Sequence, residues 1–314
     1  MSNFAHILRS GAAALMAVCV LLMAATGQAA DGPRRTLVFC RGQMKYGLDE
    51  NYLWRWVDRP LFQDSSLRGE AREFSTTYAS YKRMVGIART YLLDGFAFFP
   101  ETTGRMGIYQ FHDRARPEGF ALLPEFIANQ DMEPKRALLR AALACQTIAK
   151  LDGRIPITAY RTDSLPPETW AKILTAFRAE FGNAFIFLPD VRQPWGALMD
   201  KFHGQERIPQ AEIEELKAYL RRYVAVFDGL YFAGAAGIKK DRRFDERFYR
   251  ELLIPACRAV MAEPASRGKY FGLSACIGHE NCTRLGYTLS HDGTKTLRRS
   301  LSAALDAKPD LIVI

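Results

Sequence analysis

Three short apolar runs in this chain end in a proline that is followed by a carboxylate. They are Phe96-Ala-Phe-Phe-Pro-Glu101, Phe120-Ala-Leu-Leu-Pro-Glu125 and Phe185-Ile-Phe-Leu-Pro-Asp190. An uninterrupted apolar run of this length is typical of a strand that is buried on both faces, as in a parallel sheet. Proline cannot donate a hydrogen bond to a neighbouring strand, so each proline predicts the end of its strand. Each acid is therefore predicted to lie just beyond the carboxyl end of a buried strand.

Apolar runs of this kind alternate with helical stripes along the rest of the chain. The pattern predicts strands at residues 36–40, 96–99, 120–123, 155–160, 184–188, 228–233, 270–275 and 310–314. It predicts helices at residues 78–91, 106–115, 134–150, 164–177, 213–223, 244–261 and 294–305. Each helix falls between two predicted strands.

This alternation predicts the fold class. Strands that alternate with helices indicate βαβ units and a parallel sheet, and a set of eight favours a (β/α)8 TIM barrel. An open, doubly wound α/β sheet is the alternative, but the segment Cys40-Arg-Gly-Gln-Met44 lacks the Gly-x-Gly-x-x-Gly turn expected after its first strand. Because the sequence ends on the eighth strand, we expect a single barrel domain in residues 31–314 that is truncated before its last helix.

The first thirty residues have the pattern of a secretory signal peptide. Arg9 is their one charged residue, residues 12–25 are apolar, and the small residues of Gly27-Gln-Ala-Ala30 suit cleavage. A retained lipid or helical anchor is the alternative, and no later segment has the length of a membrane span. We therefore expect a secreted or periplasmic protein without stable membrane insertion.

Charge and motifs exclude several function classes. The net charge is +9, but the basic residues are scattered and no aromatic and basic stripe accompanies them, so nucleic-acid binding is not expected. The sequence lacks the Gly-x-Ser-x-Gly motif of serine hydrolases, the His-Glu-x-x-His motif of zinc hydrolases and a Gly-Lys-Ser/Thr phosphate loop. Hydrolysis of glycosides by two carboxylates needs none of these and no cofactor.

The cysteines indicate a disulfide or, less simply, a metal site. Cys276 and Cys282 enclose a short loop and are candidates for a disulfide outside the cytosol. With His279 between them they also form Cys-x2-His-x2-Cys, but a fourth zinc ligand is missing, so no metal is expected. Three further cysteines are assigned to the core: Cys40, Cys145 and Cys257.

The candidate site residues follow the predicted strands, because barrel active sites are built at the carboxyl ends of the strands. The candidate catalytic acids are Glu101, Glu125 and Asp190, since carboxylates transfer protons and accept sugar hydroxyls. The candidate substrate-binding residues are Arg41, Tyr160, Arg161, Asp163, Trp195, His279 and Glu280. The ring of Trp195 is expected to stack on a sugar. Acids, arginines and aromatic rings together indicate a site for a polysaccharide or oligosaccharide.

Six of the candidates also have structural interpretations. These are a helix cap for Asp163, the start of a turn for Asp190, ion pairs with Arg105 or Arg161 for Glu101 and Glu125, and a surface loop for His279-Glu280.

Several segments resemble a known group of glycosidases. The run from Tyr81 through Asp94-Gly-Phe-Ala-Phe98 resembles the opening helix and strand of glycoside hydrolase family 71, the α-1,3-glucanases, and of the related family 99-like barrels. Phe227-Asp-Gly-Leu-Tyr-Phe232 resembles the sixth strand of these barrels, and Lys269-Tyr-Phe-Gly-Leu-Ser274 resembles the seventh. The resemblance covers most of residues 75–314.

The resemblance implies a secreted barrel that hydrolyses a polysaccharide, with an α-glucan as the expected substrate and no cofactor. It places the paired catalytic acids in the loop after strand eight, and those acids map to no position of this sequence, which ends at Ile314. Glu101, Glu125 and Asp190 would then hold the sugar. A non-catalytic carbohydrate-binding barrel is the alternative function, and an exported barrel of unrelated chemistry is a third.

Overall fold

The alternating pattern produces parallel strands that curve into a barrel. A computed structural model describes residues 35–42, 78–98, 109, 112–113, 119–129, 131–204, 207–232, 245–276, 279–280, 288–289, 292 and 294–314. The barrel strands are β1 (Leu37–Gly42), β2 (Gly95–Phe98), β3 (Ala121–Ile127), β4 (Ile155–Tyr160), β5 (Phe185–Pro189), β6 (Gly229–Phe232), β7 (Tyr270–Ser274) and β10 (Leu311–Val313). Two short strands, β8 (His279–Glu280) and β9 (Thr288–Leu289), pair antiparallel outside the barrel.

Helices cover the outside of the barrel. They are α1 (Tyr78–Thr90), α2 (Met132–Ala144), α3 (Pro167–Phe181), α4 (Gln193–Gly204), α5 (Gln210–Val224), α6 (Ile254–Met261) and α7 (Lys295–Asp306). A π-helical segment, Phe248–Leu253, leads into α6. Helix α4 was not predicted, and the predicted helix at residues 106–115 falls almost entirely outside the described residues. Within the described part of the chain, no helix has the length and apolar character needed to cross a membrane.

Helix α3 shows how the sequence sets these elements. Its apolar positions Trp170, Leu174 and Phe177 are all fully buried against the barrel. Proline occupies its first turn, where the missing N–H is tolerated. The predicted start at Ser164 was wrong, since Ser164 lies in a 3-10 turn and its hydroxyl donates to the carbonyl of Ala128.

The order of the strands makes a barrel rather than an open sheet. The order is β5-β4-β3-β2-β1-β10-β7-β6, and every neighbouring pair is parallel. The two ends of this series meet, because Asp190, directly after β5, forms a parallel bridge with Tyr231 of β6. The predicted (β/α)8 TIM barrel is therefore confirmed, and the open doubly wound sheet is excluded.

Three strands start with the same hydrogen-bonded arrangement. An aspartate precedes β2, β6 and β10, and it exchanges two bonds with one residue of a neighbouring strand, at 2.7 to 3.0 Å. Its backbone N–H donates to that residue's carbonyl, and its carboxylate accepts that residue's N–H. The pairs are Val38 with Asp94, Phe187 with Asp228 and Phe271 with Asp310. These aspartates fix the register at the amino-terminal end of the barrel.

The prediction that proline ends each strand holds for β5 and fails for β3. Pro189 is the last residue of β5, but β3 continues through Pro124 and Glu125 to Ile127. Pro124 lies where the pairing of β3 with β2 ends and the pairing with β4 begins. Because the pairing changes at Pro124, the strand continues although proline has no N–H to donate. Glu125 is therefore a residue of β3.

Side chains that alternate along each strand divide the core into two layers. Residues such as Phe39, Leu123 and Leu188 fill the inside of the barrel, while their neighbours in sequence pack against the helices. Because inward positions recur every second residue, Glu125 and Asp190 follow Leu123 and Leu188 onto the inner face. The inside of the barrel thus changes from apolar to polar towards its carboxyl end.

Glycines at the starts of β2 and β6 should be irreplaceable. A β-carbon on Gly95 would lie 1.9 Å from the carbonyl oxygen of Ala121. We expect Gly95→Ala to lower the free energy of unfolding by about 3 kcal/mol or more, because backbone atoms must move apart. The control is Gly86→Ala in α1, where nothing lies within 4 Å of the added carbon; it should raise stability by about 1 kcal/mol or less. Equal urea midpoints for the two variants would contradict this account.

Candidate active site at the carboxyl end of the barrel

Two carboxylates lie inside the carboxyl end of the barrel. Glu125 projects from β3 and Asp190 follows β5, and both residues are 0% exposed. Strand β4 separates them and pairs with both strands. Burial of a carboxylate is unfavourable unless a cation or hydrogen-bond donors compensate it.

Arg41 of β1 compensates Glu125. Its Nη2 lies 2.5 Å from Glu125 Oε1. Burial is the largest influence on Glu125 and raises its pKa to about 7, Arg41 opposes this rise, and Asp190 adds to it. Burial alone would lower the pKa of Arg41, but the acidic groups around it, Glu125 first among them, together more than offset that effect, so this arginine stays charged. Glu125 is thus close to balance between its neutral and ionised forms near neutral pH.

Arg192 compensates Asp190 in the same way. Its Nε lies 2.5 Å from Asp190 Oδ2, which also accepts the backbone N–H of Arg161 at 3.2 Å. The hydroxyl of Thr162 accepts the N–H of Asp190 at 2.9 Å. Asp163 is buried and accepts the backbone N–H of Arg192 at 2.5 Å. Asp163 therefore joins the turn after β4 to the turn after β5, rather than capping a helix.

Tyr160 brings the two ion pairs into one cluster. The guanidinium carbon of Arg192 lies 4.3 Å from the centre of its ring, and that of Arg41 lies 5.7 Å from the same centre. A cation near an aromatic face is attracted by the ring electrons, so Tyr160 restrains both side chains. We call Arg41, Glu125, Tyr160, Asp190 and Arg192 the rim cluster.

Unpaired polar atoms border the rim cluster. Among the described residues, four buried side-chain atoms have no hydrogen-bond partner: Arg41 Nε, Glu125 Oε2, the Tyr231 hydroxyl and Ser274 Oγ. Burial raises the pKa of Tyr231, so its hydroxyl keeps its proton and remains a donor. Buried polar groups without partners are unfavourable, which makes these atoms candidates for contact with a polar ligand.

Tyr231 was missed in the sequence, although a signal for it exists. Gly272 on β7 has no side chain because a β-carbon there would lie 2.9 Å from the Tyr231 ring. Tyr231 also comes two residues after Gly229, whose β-carbon would meet the backbone of β7. The Asp-Gly start of β6 therefore sets which face of this strand points inward, and Tyr231 lies on that face.

Trp195 does not belong to the site. It is 2% exposed, its indole N–H donates to the carbonyl of Val191, and its ring packs against Phe232 and Phe248. The expectation that Trp195 stacks on a sugar is therefore corrected: its ring is enclosed by the core beneath α4. Tyr160, in contrast, contacts the arginines that pair with the candidate acids.

Other predicted residues have different outcomes. Arg161 is exposed, with a left-handed backbone at φ 53°, and Glu125 pairs with Arg41 rather than with Arg161.

Cys145 and Cys257 are buried, as predicted, and Cys40 is partly buried. Glu101, Arg105 and Cys282 lie outside the described residues, as does the proposed signal peptide, while His279 and Glu280 are described only as β8. The disulfide with Cys276 and the roles of these residues remain predictions.

A pocket lies at the opposite end of the barrel. It has a volume of about 370 Å³ and is lined by residues at the starts of β1 and β3 and after α2, among them Leu37, Phe120 and Thr147. Asp94 also lines it, but its carboxylate accepts the N–H of Val38. This amino-terminal pocket contains none of the candidate site residues.

Comparison with known proteins supports the fold. No protein-family model and no curated protein sequence matches the chain. Two structures of the GH99 endo-alpha-mannosidase of Bacteroides thetaiotaomicron are similar to it. The match to the structure in complex with Bis-Tris-propane has a TM-score of 0.53 at 12% identity and covers 76% of this chain and 70% of the mannosidase chain. The match to the other structure has a TM-score of 0.51 at 13% identity and covers 76% of this chain and 66% of the mannosidase chain.

At such low identity, the TM-scores support a shared fold and nothing finer. The predicted likeness to family 99 barrels is confirmed at the level of the fold, and neither structure supports family 71 specifically. The class defined by fold and site is thus a TIM barrel with paired acids and arginines at its carboxyl end.

The raised pKa of Glu125 should make stability depend on pH. The folded protein binds this proton up to about pH 7, whereas the unfolded chain releases it near pH 4.3. Stability from this group is therefore present at low pH and lost as pH rises towards 7. The stability of the protein relative to Glu125→Gln should fall by on the order of 3 kcal/mol between about pH 4.5 and 7.5, measured by urea unfolding.

The matched control is Glu180→Gln on the outer face of α3. Glu180 also pairs with arginines, and its pKa is lowered by Arg140 and Arg136. Above about pH 5, the free energy of unfolding of this variant should differ from that of the unaltered protein by a constant amount. If the difference for Glu125→Gln is also independent of pH, the raised pKa of Glu125 is contradicted.

Proposed function

We propose that the protein is a secreted glycoside hydrolase that cleaves an α-linked polysaccharide. The observation that carries the proposal is that two fully buried carboxylates, Glu125 and Asp190, lie at the end of a TIM barrel where active sites form. The fold is shared with an endo-alpha-mannosidase, and the family resemblance suggests an α-glucan. An α-linked polysaccharide is the substrate class common to both.

The two acids suit different roles in glycoside hydrolysis. Glu125, with a pKa of about 7, has a neutral form that can protonate the glycosidic oxygen near neutral pH. Asp190 is the second carboxylate, which activates the attacking water. Arg41 and Arg192 hold the acids in place, and the Tyr231 hydroxyl donates to a sugar oxygen. No step requires a cofactor.

Export is part of this proposal. The apolar segment at residues 12–25, followed by small residues, supports cleavage of a signal peptide and a location in the periplasm or outside the cell. A polysaccharide substrate is accessible there.

A non-catalytic carbohydrate-binding barrel is the second candidate. One observation favours it: both acids are 0% exposed, while the side chains of Arg41 and Arg192 are 21% and 29% exposed. A ligand approaching from solvent would meet the arginines before it meets the acids. In this case the rim cluster would bind a glycan without cleaving it.

Hydrolysis can be tested by release of reducing sugar from a panel of α-glucans and α-mannans. Glu125→Gln and Asp190→Asn should each lower turnover about 100-fold or more, because each removes a group that transfers a proton. Glu180→Gln serves as the control and should retain full activity. Circular dichroism must show that all three variants fold.

The outcomes separate the two candidate functions. Full turnover by Glu125→Gln would contradict the assigned role of Glu125. Binding of a glycan without release of reducing sugar by the unaltered protein would favour the binding barrel over the hydrolase.

A further inference from the structure

The rim cluster presents its cations to solvent and keeps its anions beneath them. The side chains of Glu125 and Asp190 are 0% exposed, whereas those of Arg41 and Arg192 are 21% and 29% exposed. Arg161, at the adjacent turn, is exposed as well. A ligand that reaches this end of the barrel therefore meets guanidinium groups first.

These guanidinium groups retain donors beyond their ion pairs. Arg192 donates to Asp190 through Nε, and among the described residues its two terminal nitrogens make no hydrogen bond. Arg41 donates through Nη2, and its buried Nε has no partner. Two adjacent N–H groups of one guanidinium match the two oxygens of a carboxylate, sulfate or phosphate group.

The positions of the cations are fixed by their surroundings. Tyr160 contacts both guanidinium groups, and the backbone of Arg192 is held by Asp163 at 2.5 Å. The backbone N–H of Arg161 donates to Asp190. A preorganised set of donors loses little side-chain entropy when an anion binds, which increases its affinity.

A site for a neutral sugar has a different character. It offers exposed carboxylates that accept hydroxyls and flat rings that stack on the sugar. Here the acids are covered, and Trp195 lies in the core. The raised pKa of Glu125 further reduces the negative charge beneath Arg41 near neutral pH.

We propose that the rim cluster, with Arg161, binds an oxyanion substituent of an acidic sugar, so that the ligand is an anionic polysaccharide. The carboxylate of a uronic acid fits the fork of Arg192, and sulfate or phosphate esters have the same chemistry. This inference rests on the proposed function for the presence of a glycan, and it adds the class of that glycan.

The test is calorimetric binding of α-linked trigalacturonate, compared with its methyl ester. At low ionic strength the acid form should bind roughly tenfold more tightly, because only it carries the charge that the guanidinium groups recognise. About 0.5 M salt should reduce the difference. Glucose 6-sulfate and glucose 6-phosphate, compared with glucose, show which oxyanion is preferred.

Variants connect this preference to the rim. Arg192→Gln should reduce the roughly tenfold preference to less than about twofold, and Arg192→Lys should keep part of it, since lysine retains charge without the fork. Arg161→Gln changes an exposed side chain and should weaken acid binding about threefold. Arg140→Gln, on the outer face of α2, is the control and should leave the preference unchanged.

Each result decides the inference. Equal binding of acid and ester, or a full preference retained by Arg192→Gln, would overturn it. If Arg192→Gln does not fold, Arg161→Gln and the salt dependence decide in its place, and no effect of either overturns the inference. Cleavage of neutral glycans with no acid preference would contradict the anionic class and leave the hydrolase standing. Binding of the acid form through Arg192 without cleavage of any glycan would support the anionic class and contradict the hydrolase.

Discussion

Closure of the barrel between β5 and β6 is the constraint on which the candidate site depends. The strand order leaves these two strands at the ends of the sheet, and they meet through the bridge of Asp190 with Tyr231 and through Phe187 with Asp228. On an open sheet Asp190 would lie at an exposed edge. In the closed barrel its side chain turns inward, on the same polar layer as Glu125.

Closure of the barrel has an electrostatic consequence at its carboxyl end. Two carboxylates that lose their water need cations nearby, since an unpaired buried charge is strongly destabilising. Arg41 and Arg192 supply those cations from the solvent side, at 2.5 Å from each acid. The arrangement that stabilises the acids therefore also determines what a ligand meets at the mouth of the barrel. In this way the topology of the sheet sets the charge at the carboxyl end of the barrel.

Sequence pattern predicted the strands and the barrel because buried parallel strands leave continuous apolar runs. It could not predict that Pro124 lies within a strand, since that depends on where pairing changes from β2 to β4. Trp195 was predicted to lie in a loop after Asp190, although Pro194 in the first turn of α4 suits a helix start; the helix packs the Trp195 ring into the core. The pairing of Arg41 with Glu125 joins residues 84 positions apart, and neither one marks the other in the sequence.

A crystal structure of the protein with bound trigalacturonate tests the central claim most directly. The account predicts the trisaccharide at the carboxyl end of the barrel, with a carboxylate hydrogen-bonded to Arg192 or Arg41 and a sugar oxygen near the Tyr231 hydroxyl. Binding in the amino-terminal pocket beside Leu37 and Phe120, with the rim cluster untouched, would contradict it.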